Sequence, residues 1–177
     1  SLLNSAEKRE YEAGNISATS QELTIAGGSS SSKGQSWIFW NLPINAKKVF
    51  MKANFATDYY ADINLVVAPQ EGSLGNYLYQ VGIAPRYATE DFQIAKCSGG
   101  SWTKLASEAV DLSENTFYTV EALFEFDGAG NNRIRAWRNG ELKLDITDSD
   151  TNFDYIRSAK IRVWDNSDTS KPKGYVR

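Results

Sequence analysis

The stretch from Phe117 to Thr147 decides the fold. It reads F-Y-T-V-E-A-L-F-E-F (117–126), D-G-A-G-N (127–131), N-R-I-R-A-W-R (132–138), N-G (139–140) and E-L-K-L-D-I-T (141–147). Apolar and polar side chains alternate with a period of two, the period of a half-buried strand. Val120, Ala122, Phe124 and Phe126 fall on one face, and Glu121, Leu123 and Glu125 on the other. D-G-A-G-N reads as a hairpin loop, and Asn139-Gly140 is the strongest turn dipeptide in the chain because both residues tolerate positive φ. Pairing 117–126 with 132–138 sets Ile134 and Ala136 beside the apolar face. Arg133, Arg135 and Trp137 then join the glutamates, and Glu125 faces Arg133, a pair worth a few tenths of a kcal/mol. At the second hairpin a plain two-residue turn would set Trp137 beside Leu142 and Ile134 beside Asp145, mixing core and surface. One extra residue sets Ala136 beside Leu142 and Ile134 beside Leu144. The bulged turn is expected, since a one-residue slip moves every side chain to the other face.

The same alternation recurs outward from this stretch. It marks Glu22-Ala26, Ser36-Leu42, Val49-Phe55, Ile63-Val67, Tyr77-Ile83, Phe92-Ile94, Ala159-Asp165 and a stub at Gly174-Arg177. No long segment carries a helical stripe. Ala6-Ala13 could form one or two turns of helix, but it lacks an apolar face and would be marginal alone. Gly27-Gly34 is a polar connection. About eleven short strands separated by turns read as an all-β, two-sheet antiparallel sandwich or jelly roll. Residues 1-20 form a polar N-terminal extension, and 21-177 form the β-sandwich domain.

Composition narrows the chemistry. The chain has 177 residues, 19 basic and 22 acidic side chains, one Cys, one Met and no His. A chain of this length buries about 70% of its unfolded surface and needs no metal or disulfide to fold. The net charge of -3 argues against nucleic acid, which demands a basic face. Without His there is no Ser-His-Asp or Cys-His nucleophile system and no imidazole-bound zinc. Cys97 cannot form an internal disulfide and reads as a small hydrophobe within a strand. No stretch reaches the ~18 apolar residues of a membrane span. Asn15-Ile16-Ser17 fits a glycosylation acceptor at Asn15. The chain begins at Ser1 rather than Met, as a mature or excised chain would.

Gly99-Leu105 (G-G-S-W-T-K-L), Asn115-Val120 (N-T-F-Y-T-V), Ile134-Leu142 (I-R-A-W-R-N-G-E-L) and Asp145-Asp150 (D-I-T-D-S-D) follow one another in a telling order. A short W-x-x-L strand precedes a long strand opened by an aromatic pair. An N-G hairpin and an Asp-rich corner come next. This order resembles the concanavalin A-like lectin/glucanase superfamily, including its laminin-G-like jelly-roll modules, over residues 20 to 177. The resemblance implies a concanavalin A-like jelly roll, and ligands on its concave sheet or edge loops. It also implies one more closing strand than the Gly174-Arg177 stub supplies. An open sheet edge could receive a strand from a second copy, and the N-terminal segment either wraps its own sandwich or packs on a neighbour. The alternative to a binding module is therefore a self-assembling surface or filament subunit, a homo-oligomer joined through these termini.

Three groups of residues are candidates for function. Five Trp and nine Tyr are many for this length. Flat aromatic faces stack on the C–H groups of sugar rings, and neighbouring polar groups bond the hydroxyls. Trp137 shares a face with Glu121, Arg133 and Arg135, and Trp164 points away from the core beside Arg162. The expected glycan or polysaccharide site is therefore Trp137, Trp164, Arg135, Arg162 and Glu121. Carboxylates come second. Hydrolases of the superfamily use E-x-D-x-x-E, whereas here Glu125-Phe126-Asp127 lacks the third acid. An Arg beside Glu125 works against a general acid. Related lyases rely on a His and Tyr pair, which this chain cannot form. A non-catalytic, extracellular or cell-surface binding module is expected ahead of a glycoside hydrolase. Third, Asp145, Asp148, Asp150 and Asp154 cluster around a loop whose oxygens suit a structural Ca²⁺, as in many jelly-roll modules.

Overall fold

The structure is a computed structural model, and it describes residues 7–11, 15–18, 23–26, 35–57, 61–70, 76–84, 91–165 and 173–177. Two antiparallel sheets face each other. In spatial order the first contains β1 (Glu7–Tyr11), β4 (Gln35–Ala46), β13 (Ile156–Asp165), β6 (Ala61–Ala68), β7 (Leu78–Ala84), β8 (Asp91–Ser98) and β9 (Ser101–Ala109). The second contains β12 (Glu141–Ser149), β11 (Asn131–Arg138), β10 (Tyr118–Phe126), β5 (Lys48–Thr57), β14 (Lys173–Val176), β3 (Leu23–Ala26) and β2 (Asn15–Ala18). Among the described residues no helix is long and apolar enough to cross a membrane.

The core lies where the inner faces meet. Ile63, Leu65, Tyr79, Val81, Ile83, Phe92 and Ile94 from the first sheet pack on Phe55, Val120, Ala122, Phe124 and Ile134 from the second. These are the period-two positions, so alternation alone directs them inward. Cys97 is buried with Val66, Ala68 and Leu78, the environment of a small hydrophobe.

The β10–β11 register is the one expected from the pattern: Glu125 opposes Arg133, Phe124 opposes Ile134 and Glu121 opposes Trp137. Asp127 closes the loop, its Oδ1 accepting from the backbone N–H of Ala129 and Asn131 at 2.7 and 3.0 Å. The β11–β12 register differs from expectation by two residues. Asn139 (φ 52°) and Gly140 (φ 80°) form a tight two-residue turn, so Trp137 does oppose Leu142. The bulge comes one residue later, at Lys143, and sets Ala136 opposite Leu144 and Ile134 opposite Ile146. The bulged Lys143 bonds Glu141 on its own strand at 2.7 Å and approaches Glu108 of β9 across the sandwich edge at 3.6 Å.

The termini also depart from the pattern. Residues 7–11 form strand β1 rather than a turn of helix and pair with Ser36, Trp37, Ile38 and their neighbours on β4. Without an apolar face a helix here would gain nothing, whereas a strand shares the backbone hydrogen bonds of an existing edge. Asn15 opens β2, opposite Ala26 of β3. The C-terminal strand β14 sits between β5 and β3 of its own chain, inside the second sheet rather than at its edge. Tyr59 and Tyr60 lie outside the described residues.

Candidate functional site

The outer face of the first sheet is the unusual surface. Alternation that sends Ile63, Val81, Phe92 and Ile161 inward must send their neighbours outward. On four adjacent strands Arg162 on β13, Asn64 on β6, Gly82 on β7 and Gln93 on β8 form one cross-strand row, polar except at the glycine. Trp164 and Asp62 stand opposite each other in the next row. Asp62, Asn64, Gln80, Gln93, Lys160 and Arg162 are all buried. A buried polar group costs free energy unless it is hydrogen-bonded, so six on one face make it the candidate functional surface among the described residues.

A pocket of about 290 Å³ opens over this face, lined by Trp102, Trp164, Arg162, Asp62, Gln80 and Gln93, with Lys104 at its rim. Arg162 organises it. Its Nη1 donates to Gln80 Oε1 at 2.8 Å, and its guanidinium packs over the Trp164 ring at 4.2 Å and the Trp102 ring at 4.9 Å. Cation–π contacts of this kind, when desolvated, reach about 2 kcal/mol each. Burial pushes the Arg162 pKa down to about 9, opposed by the charge of Asp62, and the side chain stays protonated at neutral pH. Lys104 Nζ crosses to Asp91 Oδ2 at 2.6 Å. Trp102 remains 45% exposed.

Gly82 makes this floor possible. A Cβ there would lie 2.1 Å from the Ile63 carbonyl oxygen and 2.6 Å from Asn64 Oδ1. The empty side-chain position is filled by the Asn64 side chain, leaning over β7.

The residues expected from sequence divide between opposite sheets. Trp164 and Arg162 sit together in the pocket. Trp137, Arg135 and Glu121 lie on the outer face of the second sheet and do not meet them. That second face is laced with ion pairs. Glu125 bonds Lys48 at 2.7 Å and Arg135 at 2.6 Å, Glu121 bonds Lys52 at 2.5 Å, and Arg133 holds Asp145 through two bonds of 2.9 and 2.7 Å. Hydrogen bonds from Lys48 and Arg135 hold the Glu125 carboxyl below its ordinary pKa. Arg135 also lies 5.8 Å from the Trp137 ring centroid. Trp102 was not singled out by sequence reading, although its alternation with Lys104 marks the face they share.

The four aspartates do not form one set of oxygens. Asp148 and Asp150 share Lys96 Nζ at 2.7 and 3.2 Å, and Tyr79 Oη donates to Asp148 at 2.5 Å. Burial works against the charge of Lys96, but its bonds to Asp148 and Asp150 prevail and raise its pKa. Asp145 turns outward to Arg133, and Asp154 receives Lys47 on its backbone oxygen. Among the described residues no three acidic, Cys or His side chains converge. An ammonium already stands between Asp148 and Asp150, so these residues do not fit the six to eight oxygens of a Ca²⁺ shell.

Lys160 shares the outer face of the first sheet and is 2% exposed. Burial pushes its pKa down to about 8. The native chain therefore binds fewer protons than the unfolded chain between about pH 8 and the ordinary lysine value of 10.5, and stability rises with pH across that window. Replacing Lys160 with Met should remove this slope. Denaturant titrations of both proteins from neutral pH to above 10.5 check it. An equal slope in the variant would assign the pH dependence to other groups.

No protein-family model matches the sequence, and no curated protein is similar to it. Solved structures are similar over nearly the whole chain. The carbohydrate binding module CBM66 from Bacillus subtilis superposes with a TM-score of 0.61 at 11% identity, covering 97% of this chain and 91% of that one. The metal-free Emp46p carbohydrate recognition domain gives 0.64 at 6% identity, covering 98% and 88%. Bacillus licheniformis β-glucanase gives 0.59 at 15% identity, covering 97% and 90%. The chain has the concanavalin A-like jelly-roll fold. Within this jelly roll the pocket occupies the outer face of the sheet bounded by β1 and β9, and the ion-paired face belongs to the sheet bounded by β12 and β2.

Proposed function

We propose that the protein is a non-catalytic carbohydrate-binding domain acting outside the cell. The observation that carries this reading is the pocket built from Trp102, Trp164 and Arg162 over a buried row of amides and carboxylates. Indole rings offer flat apolar faces to sugar C–H groups, and the amides of Gln80 and Gln93 offer hydrogen-bonding groups to hydroxyls. Ligand sites are typically concave and largely apolar, with a few convergent polar groups, and this pocket has that composition. Similarity of the fold to a carbohydrate binding module and a carbohydrate recognition domain agrees with the reading.

A glycosidase would need a carboxyl kept protonated near neutral pH. Glu125 is instead held ionised by Lys48 and Arg135, and Asp127 is committed to its loop. The self-assembly alternative starts from an open sheet edge and a missing closing strand, and β14 of the same chain lies inside the second sheet, between β5 and β3.

The test is a binding screen of the purified chain against insoluble and soluble polysaccharides, with reducing-end release followed in parallel. Binding without release is expected. Steady release of new reducing ends that survives repurification would contradict the non-catalytic reading.

A further inference from the structure

The charges around the pocket define the ligand more narrowly, and the inference rests on the carbohydrate reading above. Among the described residues, four ionisable side chains border the pocket: Arg162, Asp62 and Lys104 line it, and Asp91 stands behind Lys104. They comprise two cations and two anions. Lys104 is already bonded to Asp91 at 2.6 Å. Arg162 is 3% exposed, donates to Gln80, packs over both indoles and feels the charge of Asp62. Neither cation stands ready for a ligand carboxylate or sulfate. An anionic sugar would also have to approach Asp62, which is itself only 4% exposed. Among the described residues the polar groups left to face a ligand are the amides of Gln80 and Gln93, neutral partners suited to hydroxyls.

We infer that the pocket takes an uncharged saccharide, and that Arg162 serves it as a positioning residue, holding Trp102 and Trp164 in place, rather than as an ion-pair partner for the ligand. In this arrangement the described charges balance in pairs and no described cation is left over to reward an acidic group, so acidic sugars are disfavoured against neutral ones.

The experiment titrates the full chain with two panels, neutral polysaccharides and their oligosaccharides on one side, polyuronates and sialylated oligosaccharides on the other. Each titration is run at low and at high ionic strength. Neutral glycans should bind with the same affinity at both, because no ligand charge is screened. Acidic glycans should bind at least about tenfold more weakly, since a ligand carboxylate would lose its water without gaining an unpaired cation. Tighter binding of the acidic panel, weakened by salt, would overturn this inference and leave the carbohydrate reading standing. Binding to neither panel would overturn both.

Discussion

Trp164→Ala should weaken glycan binding by about 30-fold, because truncating a packed aromatic at the centre of an interface costs about 2 kcal/mol. The indole supplies one wall of the pocket and one of the two rings over the Arg162 guanidinium. Removing it deletes the stacking surface and also frees Arg162 from one of its aromatic neighbours. Trp102→Ala should act in the same direction, since its ring lies 4.9 Å from the same guanidinium. Trp137→Ala is the internal control. It stands on the opposite sheet, opposite Glu121, and its loss should leave affinity unchanged. Isothermal titration of the three variants, each with its thermal melt, separates lost contacts from lost folding. A Trp164→Ala protein that melts normally and binds as tightly as the parent would remove the pocket from the mechanism.

Gly82→Ala should destabilise the fold by about 3 kcal/mol, at the upper end of what overpacking usually costs. The added methyl meets backbone rather than a movable side chain: the Ile63 carbonyl oxygen would be 2.1 Å away. Ile63 pairs with Ile83 in the β6–β7 ladder, and both are buried, so these strands can part only by opening the middle of the core. For a protein of this size such a loss lowers the melting temperature by about 6–12 °C. Gly174→Ala is a useful contrast. There the nearest atom is a Val163 methyl at 2.6 Å, which a rotamer change can relieve in part. Denaturant unfolding of both variants checks the order. A Gly82→Ala protein as stable as the parent would mean that Asn64 and β6 yield more readily than the close backbone approach implies.

The sheet pairing was legible wherever one local pattern determined it. The β10–β11 hairpin has the register that alternation requires, because a one-residue slip would set Arg133 and Arg135 beside the core face of β10. The next hairpin differs from the pattern by two residues: its bulge falls at Lys143, beside Glu108, which is distant in sequence and on the other sheet. Half of the pocket was legible for the same reason that the hairpin was: Arg162 and Trp164 alternate with Ile161 and Val163. The other half depends on the order of strands in the sheet. Trp102 reaches Arg162 only because β9 follows β8, β7 and β6 outward from β13, and no local period encodes that order. Grouping Trp164 with Trp137 was natural in one dimension, since both stand among arginines, but they belong to opposite faces of the sandwich. The Asp-rich corner read as a cation site because Lys96, which lies between Asp148 and Asp150, is more than fifty residues away in sequence.

The central claim is that ligand binds over Trp102 and Trp164, on the outer face of the first sheet. The most direct measurement is a nitrogen–proton NMR titration of the five tryptophan indole N–H signals with a neutral oligosaccharide that binds. The expected result is that the Trp102 and Trp164 signals shift together along one saturating curve while the Trp137 signal stays in place. A saturating shift of Trp137, with Trp102 and Trp164 unmoved, would contradict the account and move the site to the opposite sheet.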